Sequence, residues 1–197
     1  MDISADLTEL GRTRVAVVSS GPKGFLDIAR TLEFLETQGV PVATFFDGQG
    51  AEGQGGRECC GPIDFPAFWA RESGSKSPFA VTSEREAAAM ILAQEQLGIE
   101  MGLLFGNPIP AEHAIPREEM EAAIRTAVTE AEMGGFTGSR NTPFILGRLR
   151  ELTRGRSVVA NKALIQSNVA RAAKIAVELS RMLVERKQAR KGSVSMA

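Results

Sequence analysis

The sequence predicts an α/β fold, an α/β/α sandwich in which a mainly parallel sheet is covered by helices on both faces, and three stretches carry that prediction. Residues 14–20, RVAVVSS, are rich in β-branched side chains, the pattern of a buried strand. Residues 25–39, FLDIARTLEFLETQG, place Phe25, Ile28, Ala29, Leu32 and Leu35 at helical spacing and close on Gly39. Residues 40–46, VPVATFF, return to strand character. Strand, tight loop, helix and strand within about 33 residues make a βαβ unit, so the two strands run parallel and are joined by a right-handed crossover.

The remaining elements follow in order. DISAD, residues 2–6, sets small polar side chains ahead of a short helix in LTEL. Residues 47–63 are glycine-rich, offer nothing to anchor a core, and read as an inserted surface loop. FPAFWA, 65–70, is aromatic enough to dock back onto the body. Thr82 or Ser83 caps a helix through EREAAAMILAQEQLG, with Glu86 in capping-box position if Ser83 is the cap. IEMGLLFG, 99–106, is a further buried strand. The prolines of NPIPAEHAIP bar regular structure, and REEMEAAIRTAVTEAEMGG then forms an amphipathic helix stopped by Gly134 and Gly135. The last third is helical throughout, from TPFILGRLRELTRG to a long segment entered at Ser157, and residues 187–197 read as a disordered, solvated end. With 197 residues, 43% of them hydrophobic, the chain is sized for one domain with a substantial core.

A formal net charge of -1 argues against phosphate-backbone binding, which needs a basic excess on one face. Cys59 and Cys60 are adjacent, which is neither a metal-ligand spacing nor a disulfide framework, and fits a reducing compartment. No stretch approaches the apolar length of a membrane span, so a cytoplasmic protein is expected.

Five features could carry chemistry. GQGAEG, 48–53, satisfies G-x-G-x-x-G after a strand, but no helix opens at its third glycine, and a low-complexity loop is the better reading. His113 is the single histidine and lies in a proline-rich loop with no nucleophile elbow in view. Lys23 differs from both. It falls at the carboxyl end of the first strand, beside Gly21, Pro22 and Gly24, where open α/β sheets build ligand sites. A lysine there can hold a phosphate as a point charge, act as a neutral amine that forms a Schiff base with a sugar carbonyl, or simply be a solvated turn residue. Asp2, Ser4 and Asp6 suit a hard cation or sugar hydroxyls, or equally a helix cap. Asn107 and Asn161 could each read a hydroxyl or base edge, or close a turn.

Taken together, DISADL (2–7), SSGPKGFLDIARTLEFLETQGVPV (19–42), FPAFWAR (65–71), GNPIPAEHA (106–114), TPFILGRLRELTRGRS (142–157) and the AN-x-AL-x-x-x-N-x-A pattern of 160–170 resemble the pseudouridine-5′-phosphate glycosidase, or indigoidine synthase A-like, family. The resemblance runs in order through nearly the whole chain. It implies an α/β/α fold and reversible cleavage of the carbon-carbon glycosidic bond of pseudouridine 5′-phosphate to uracil and ribose 5-phosphate. Such a bond has no lone pair to protonate, so ordinary glycosidase chemistry has no handle on it. In the family a lysine attacks C1′ of the ring-opened sugar and carries it as an imine; Lys23 matches that lysine. The resemblance further implies a manganese ion on Asp2, substrate contacts from Ser4, Ala5 and Asp6, an active-site asparagine at Asn161, and a homotrimer. Family members carry, ahead of the stretch matching DISAD, a segment holding a general-acid glutamate and a second active-site lysine. The chain is therefore read as the C-terminal part of the family fold, with a non-catalytic truncated or split subunit that docks onto an N-terminal half as the alternative. The alanine of the family's usual ANPIP is Gly106 here.

Overall fold

The computed structural model describes residues 4–47 and 63–194. Four strands, β1 (Ala16–Ser19), β2 (Val42–Phe45), β3 (Phe79–Val81) and β4 (Leu103–Gly106), form one sheet in the order β1-β4-β2-β3. All three pairings are parallel. The α-helices among the described residues are α1 (Ala5–Leu10), α2 (Ile28–Thr37), α3 (Glu84–Gln96), α4 (Arg117–Met133), α5 (Asn141–Leu152) and α6 (Arg156–Val194).

Alternation along the strands divides the core between the two faces of the sheet. Ala43, Phe45, Leu103 and Phe105 pack with Ala87 and Ala88 of α3 and Ile175 of α6. Val42 and Leu104, from the intervening positions, pack with Leu10 of α1, Leu35 of α2 and Phe65. Helices thus cover both faces, as the sequence predicts. A third apolar cluster joins Trp69 and Ile109 to α4, α5 and the start of α6, through Ile124, Ala127, Leu149 and Leu164 among others.

Local sequence explains most boundaries. Ser83 is the cap of α3: its hydroxyl accepts from Glu86 N at 3.2 Å, while the Glu86 carboxylate reaches back to Thr82 N at 2.6 Å. The α2 helix starts at Ile28, three residues after the periodic pattern opens at Phe25, because the Asp27 side chain takes the cap by accepting from Arg30 N at 3.0 Å. Three-residue β3 carries no periodicity of its own and is formed by pairing with β2. The α6 helix continues to Val194, into the stretch that composition reads as disordered; Lys187, Gln188 and Ala189 are good helix formers that extend it. The glycine-rich motif 48–53, Cys59 and Cys60 lie outside the described residues. No described helix is long and apolar enough to cross a membrane.

Candidate active site

The loop that leaves β1 packs against the 65–69 segment and closes a turn on itself. Ser20 is 1% exposed, and its carbonyl accepts from Phe68 N at 2.7 Å. Gly21 has φ +87°, and a Cβ there would stand 1.9 Å from the Pro66 carbonyl oxygen, so only glycine lets the loop lie this close to the 65–69 segment. Leu26 N donates to the Lys23 carbonyl at 2.8 Å, closing a turn that delivers the chain to Asp27. Lys23 is therefore presented by a rigid turn at the carboxyl end of a central parallel sheet, the position where such sheets place ligands.

Lys23 lies half-buried on the wall of a cleft of about 600 Å³. Ser4 at the cap of α1, Leu7 of α1, Arg30 and Thr31 of α2, and Asn141 and Thr142 of α5 also line it. Arg30 pairs with Asp27 at 3.2 Å, whereas Lys23 has no ion pair among the described residues. An amine without a carboxylate partner, beside hydroxyl and amide groups in a cleft of this size, can meet the carbonyl or the phosphate of a small polar molecule.

The other residues singled out from the sequence fall in different places. Ser4 lines the cleft and also caps α1, its hydroxyl accepting from Asp6 N at 3.3 Å. Ala5 and Asp6 are exposed in the first turn of α1 and do not line the cleft. Asn161 is half-buried on the second turn of α6 and is not among the residues that line the cleft. Asp2 lies outside the described residues. Among the described residues no group of three or more His, Cys, Asp or Glu could hold a metal ion. His113 ends an exposed one-turn 3-10 segment, Ala111–His113.

One polar cluster is not apparent from sequence motifs. Asn107, 1% exposed at the end of β4, donates through Nδ2 to Ser167 Oγ at 3.1 Å and to Asn168 Oδ1 at 2.9 Å. Its Oδ1 accepts from Arg171 Nε at 3.3 Å, and its backbone N donates to the Ser19 carbonyl at 2.7 Å. Asn168 Oδ1 also accepts from Ser20 Oγ at 3.2 Å. Arg171 continues the chain to Glu84 at 2.8 Å, and a backbone N–H at the start of α3, helped by Arg171 and Lys174, holds the Glu84 carboxyl below its ordinary range. A signal does exist in the sequence: Leu164, Asn168, Arg171 and Ile175 share one helical stripe, and polar residues inside an otherwise core-facing stripe need buried partners.

The model of a family described as indigoidine synthase A like protein matches residues 1–178. A pseudouridine-5′-phosphate glycosidase of Deinococcus radiodurans is 46% identical over 182 residues, covering 92% of this chain and 53% of the relative. One from Caldanaerobacter subterraneus subsp. tengcongensis is 45% identical over 184 residues, covering 93% and 55%. The crystal structure of the prealnumycin C-glycosynthase AlnA in complex with ribulose 5-phosphate superposes with a TM-score of 0.78 at 29% identity, over 93% of this chain and 56% of that one. An indigoidine synthase A-like protein from Thermotoga maritima gives a TM-score of 0.71 at 32% identity, over 90% and 55%. The chain thus spans about half the length of the relatives it matches.

Proposed function

Because this chain belongs to the indigoidine synthase A-like family, we propose that it carries the imine-forming part of a pseudouridine-5′-phosphate glycosidase, an enzyme that makes and breaks a carbon-carbon bond between ribose 5-phosphate and uracil. The observation that carries the proposal is Lys23 at the carboxyl end of β1, on a cleft wall and without an ion pair among the described residues. Curated relatives at about 45% identity bearing that enzyme's name, and a structural neighbour that acts as a C-glycosynthase and holds a sugar phosphate, support it.

The chemistry assigned to Lys23 is condensation. Its Nζ adds to C1′ of the ring-opened ribose 5-phosphate, the carbonyl oxygen leaves as water with two protons from the amine, and a C=N bond remains. The protonated imine accepts electrons at C1′: in the synthetic direction C5 of uracil adds there, the C=N pair becomes the nitrogen lone pair and C5 gives up its proton; in the cleavage direction the nitrogen lone pair of the C1′ amine adduct re-forms C=N while C5 departs with the bonding pair and takes up a proton. Ser4, Ala5, Asp6 and Asn161 are the proposed substrate contacts and Asp2 the proposed manganese ligand, in a homotrimer; these assignments rest on the family resemblance.

Borohydride reduction in the presence of ribose 5-phosphate tests the central step. The expected result is a sugar-phosphate adduct on Lys23, absent from Lys23→Ala. An unlabelled Lys23, with a full-length relative labelled in parallel, overturns it.

A second reading, a subunit covered by another polypeptide, is favoured by apolar residues left open along α6: Ile165, Val169 and Val177 are 51%, 65% and 50% exposed. It requires the isolated chain to associate or to melt without cooperativity; a monodisperse, cooperatively melting monomer would rule it out.

A further inference from the structure

We propose that Asn168 is a positioning residue, whose side-chain oxygen fixes the Lys23 loop against the α6 helix that carries Asn161. The inference rests on the reading of Lys23 as the imine-forming amine.

Lys23 and Asn161 stand on different elements, and only Lys23 lines the cleft. What connects their supports is one acceptor. Asn168 Oδ1 takes a hydrogen bond from Ser20 Oγ, three residues before Lys23, and a second from Asn107 Nδ2 at the end of β4. Both donors come from residues 1% exposed, so losing the acceptor strips the buried Ser20 hydroxyl of its bond and leaves Asn107 Nδ2 with Ser167 alone. Asn168 follows Asn161 by seven residues, two turns of the same helix, or about 10 Å along its axis at 1.5 Å per residue. The helix face bearing Asn161 is thereby keyed to the chain segment bearing Lys23.

The loop has little other freedom once this bond is made. On its opposite side the Gly21 backbone lies against the Pro66 carbonyl, and Phe68 N holds the Ser20 carbonyl. Phe68 adopts φ +62° to make that contact, a left-handed conformation that a side-chain-bearing residue keeps only where its surroundings hold it there. Ser20 is therefore gripped through its carbonyl by one segment and through its hydroxyl by α6. Release of the hydroxyl leaves a hinge at Gly21 through which Lys23 can swing, and a misplacement of about 1 Å at a reacting amine costs roughly 10²-fold in rate.

Two measurements on the whole 197-residue chain separate this inference from the reading beneath it. The first is amide hydrogen exchange, which needs no ligand. In Asn168→Ala, amides of residues 19–27 should exchange roughly tenfold faster while those of 103–106 stay within about twofold. Asn168→Asp, which retains an oxygen able to accept both bonds, should restore protection. Ser20→Ala removes one donor, leaves Asn107 on the acceptor, and should loosen the same residues; it decides the matter if Asn168→Ala does not fold. The second measurement is borohydride trapping with ribose 5-phosphate. At saturating sugar phosphate, Asn168→Ala should label Lys23 about 10–100-fold more slowly with an unchanged half-saturating concentration, and Asn168→Asp should recover the rate. Unaltered exchange at 19–27 in folded Asn168→Ala or Ser20→Ala, an acceleration spread evenly over the sheet, or failure of Asn168→Asp to rescue overturns the positioning role. If the unsubstituted chain is not labelled at all, it is the imine reading that falls, and exchange alone then judges whether Asn168 holds the loop.

Discussion

The Arg171 guanidinium lies over the ring of Phe45, with Cζ 4.5 Å from the centroid. Phe45 is the last residue of β2, and the same guanidinium reaches Asn107 at the end of β4 and Glu84 at the start of α3. One side chain thus ties two strand ends and two helices together.

Arg171→Lys should therefore not behave as a conservative change. Lysine keeps the charge but loses the planar fork and the stacking surface, at a cost of about 1–2 kcal/mol. Urea unfolding, followed by the fluorescence of the single tryptophan, measures it. A midpoint equal to that of the unsubstituted chain would show that charge alone suffices.

The Glu84 carboxyl is held below its ordinary value of 4.5, first by a backbone N–H and then by Arg171 and Lys174. A depressed folded pKa contributes stability that is complete above the unfolded value and is lost as pH falls through the folded one. The stability difference between the unsubstituted chain and Glu84→Gln should hence be level near neutral pH and shrink as the pH drops below about 4.5. Melting temperatures across that range check it; a difference that stays level down to about pH 3 would count against the assignment.

Two glycines with positive φ should respond differently to alanine. At Gly98, φ is +68° and no atom lies within 4 Å of the place a methyl group would take, so Gly98→Ala should cost only the conformational term, about 1–2 kcal/mol. At Gly21 the same term is joined by a collision with the Pro66 carbonyl, and the loss should exceed that of Gly98→Ala by about 2 kcal/mol or more. Equal losses at the two positions, measured by urea unfolding, would mean the 65–69 segment moves freely away from the Lys23 loop.

Trp69, 2% exposed, donates through Nε1 to the Ser157 carbonyl at 3.1 Å in the first turn of α6. Trp69→Phe keeps an aromatic ring but leaves that bond unmade and part of the volume unfilled, for a loss of about 1–3 kcal/mol. Circular dichroism during thermal unfolding measures it, since the substitution removes the fluorophore.

The elements most legible in the sequence are those whose signal is local. β-Branched side chains mark β1 and β2, an apolar run marks β4, and Ser83 with Glu86 marks the start of α3 from side chain-to-backbone bonds four residues or fewer apart. Strand β3 is not legible, since its three residues form a strand only by pairing with β2. Within the candidate site, Lys23 stands out because its turn chemistry is written in Gly21, Pro22 and Gly24. The cleft wall does not, because Arg30, Asn141 and Thr142 reach it from two helices far apart in the chain.

By itself, then, the sequence determined the strand-helix-strand unit, the rigid turn under Lys23 and the family to which the chain belongs, because each is carried by near-neighbour chemistry or by ordered motifs. Only the tertiary structure decided that Ser4 shares a cleft with Lys23 while Asn161 does not, and that the buried Asn107 and the half-buried Asn168 and Arg171 form one hydrogen-bonded cluster. Those contacts join residues about 60 positions or more apart, and a hydrogen bond across such a span depends on how helices dock on the sheet, which no local pattern specifies.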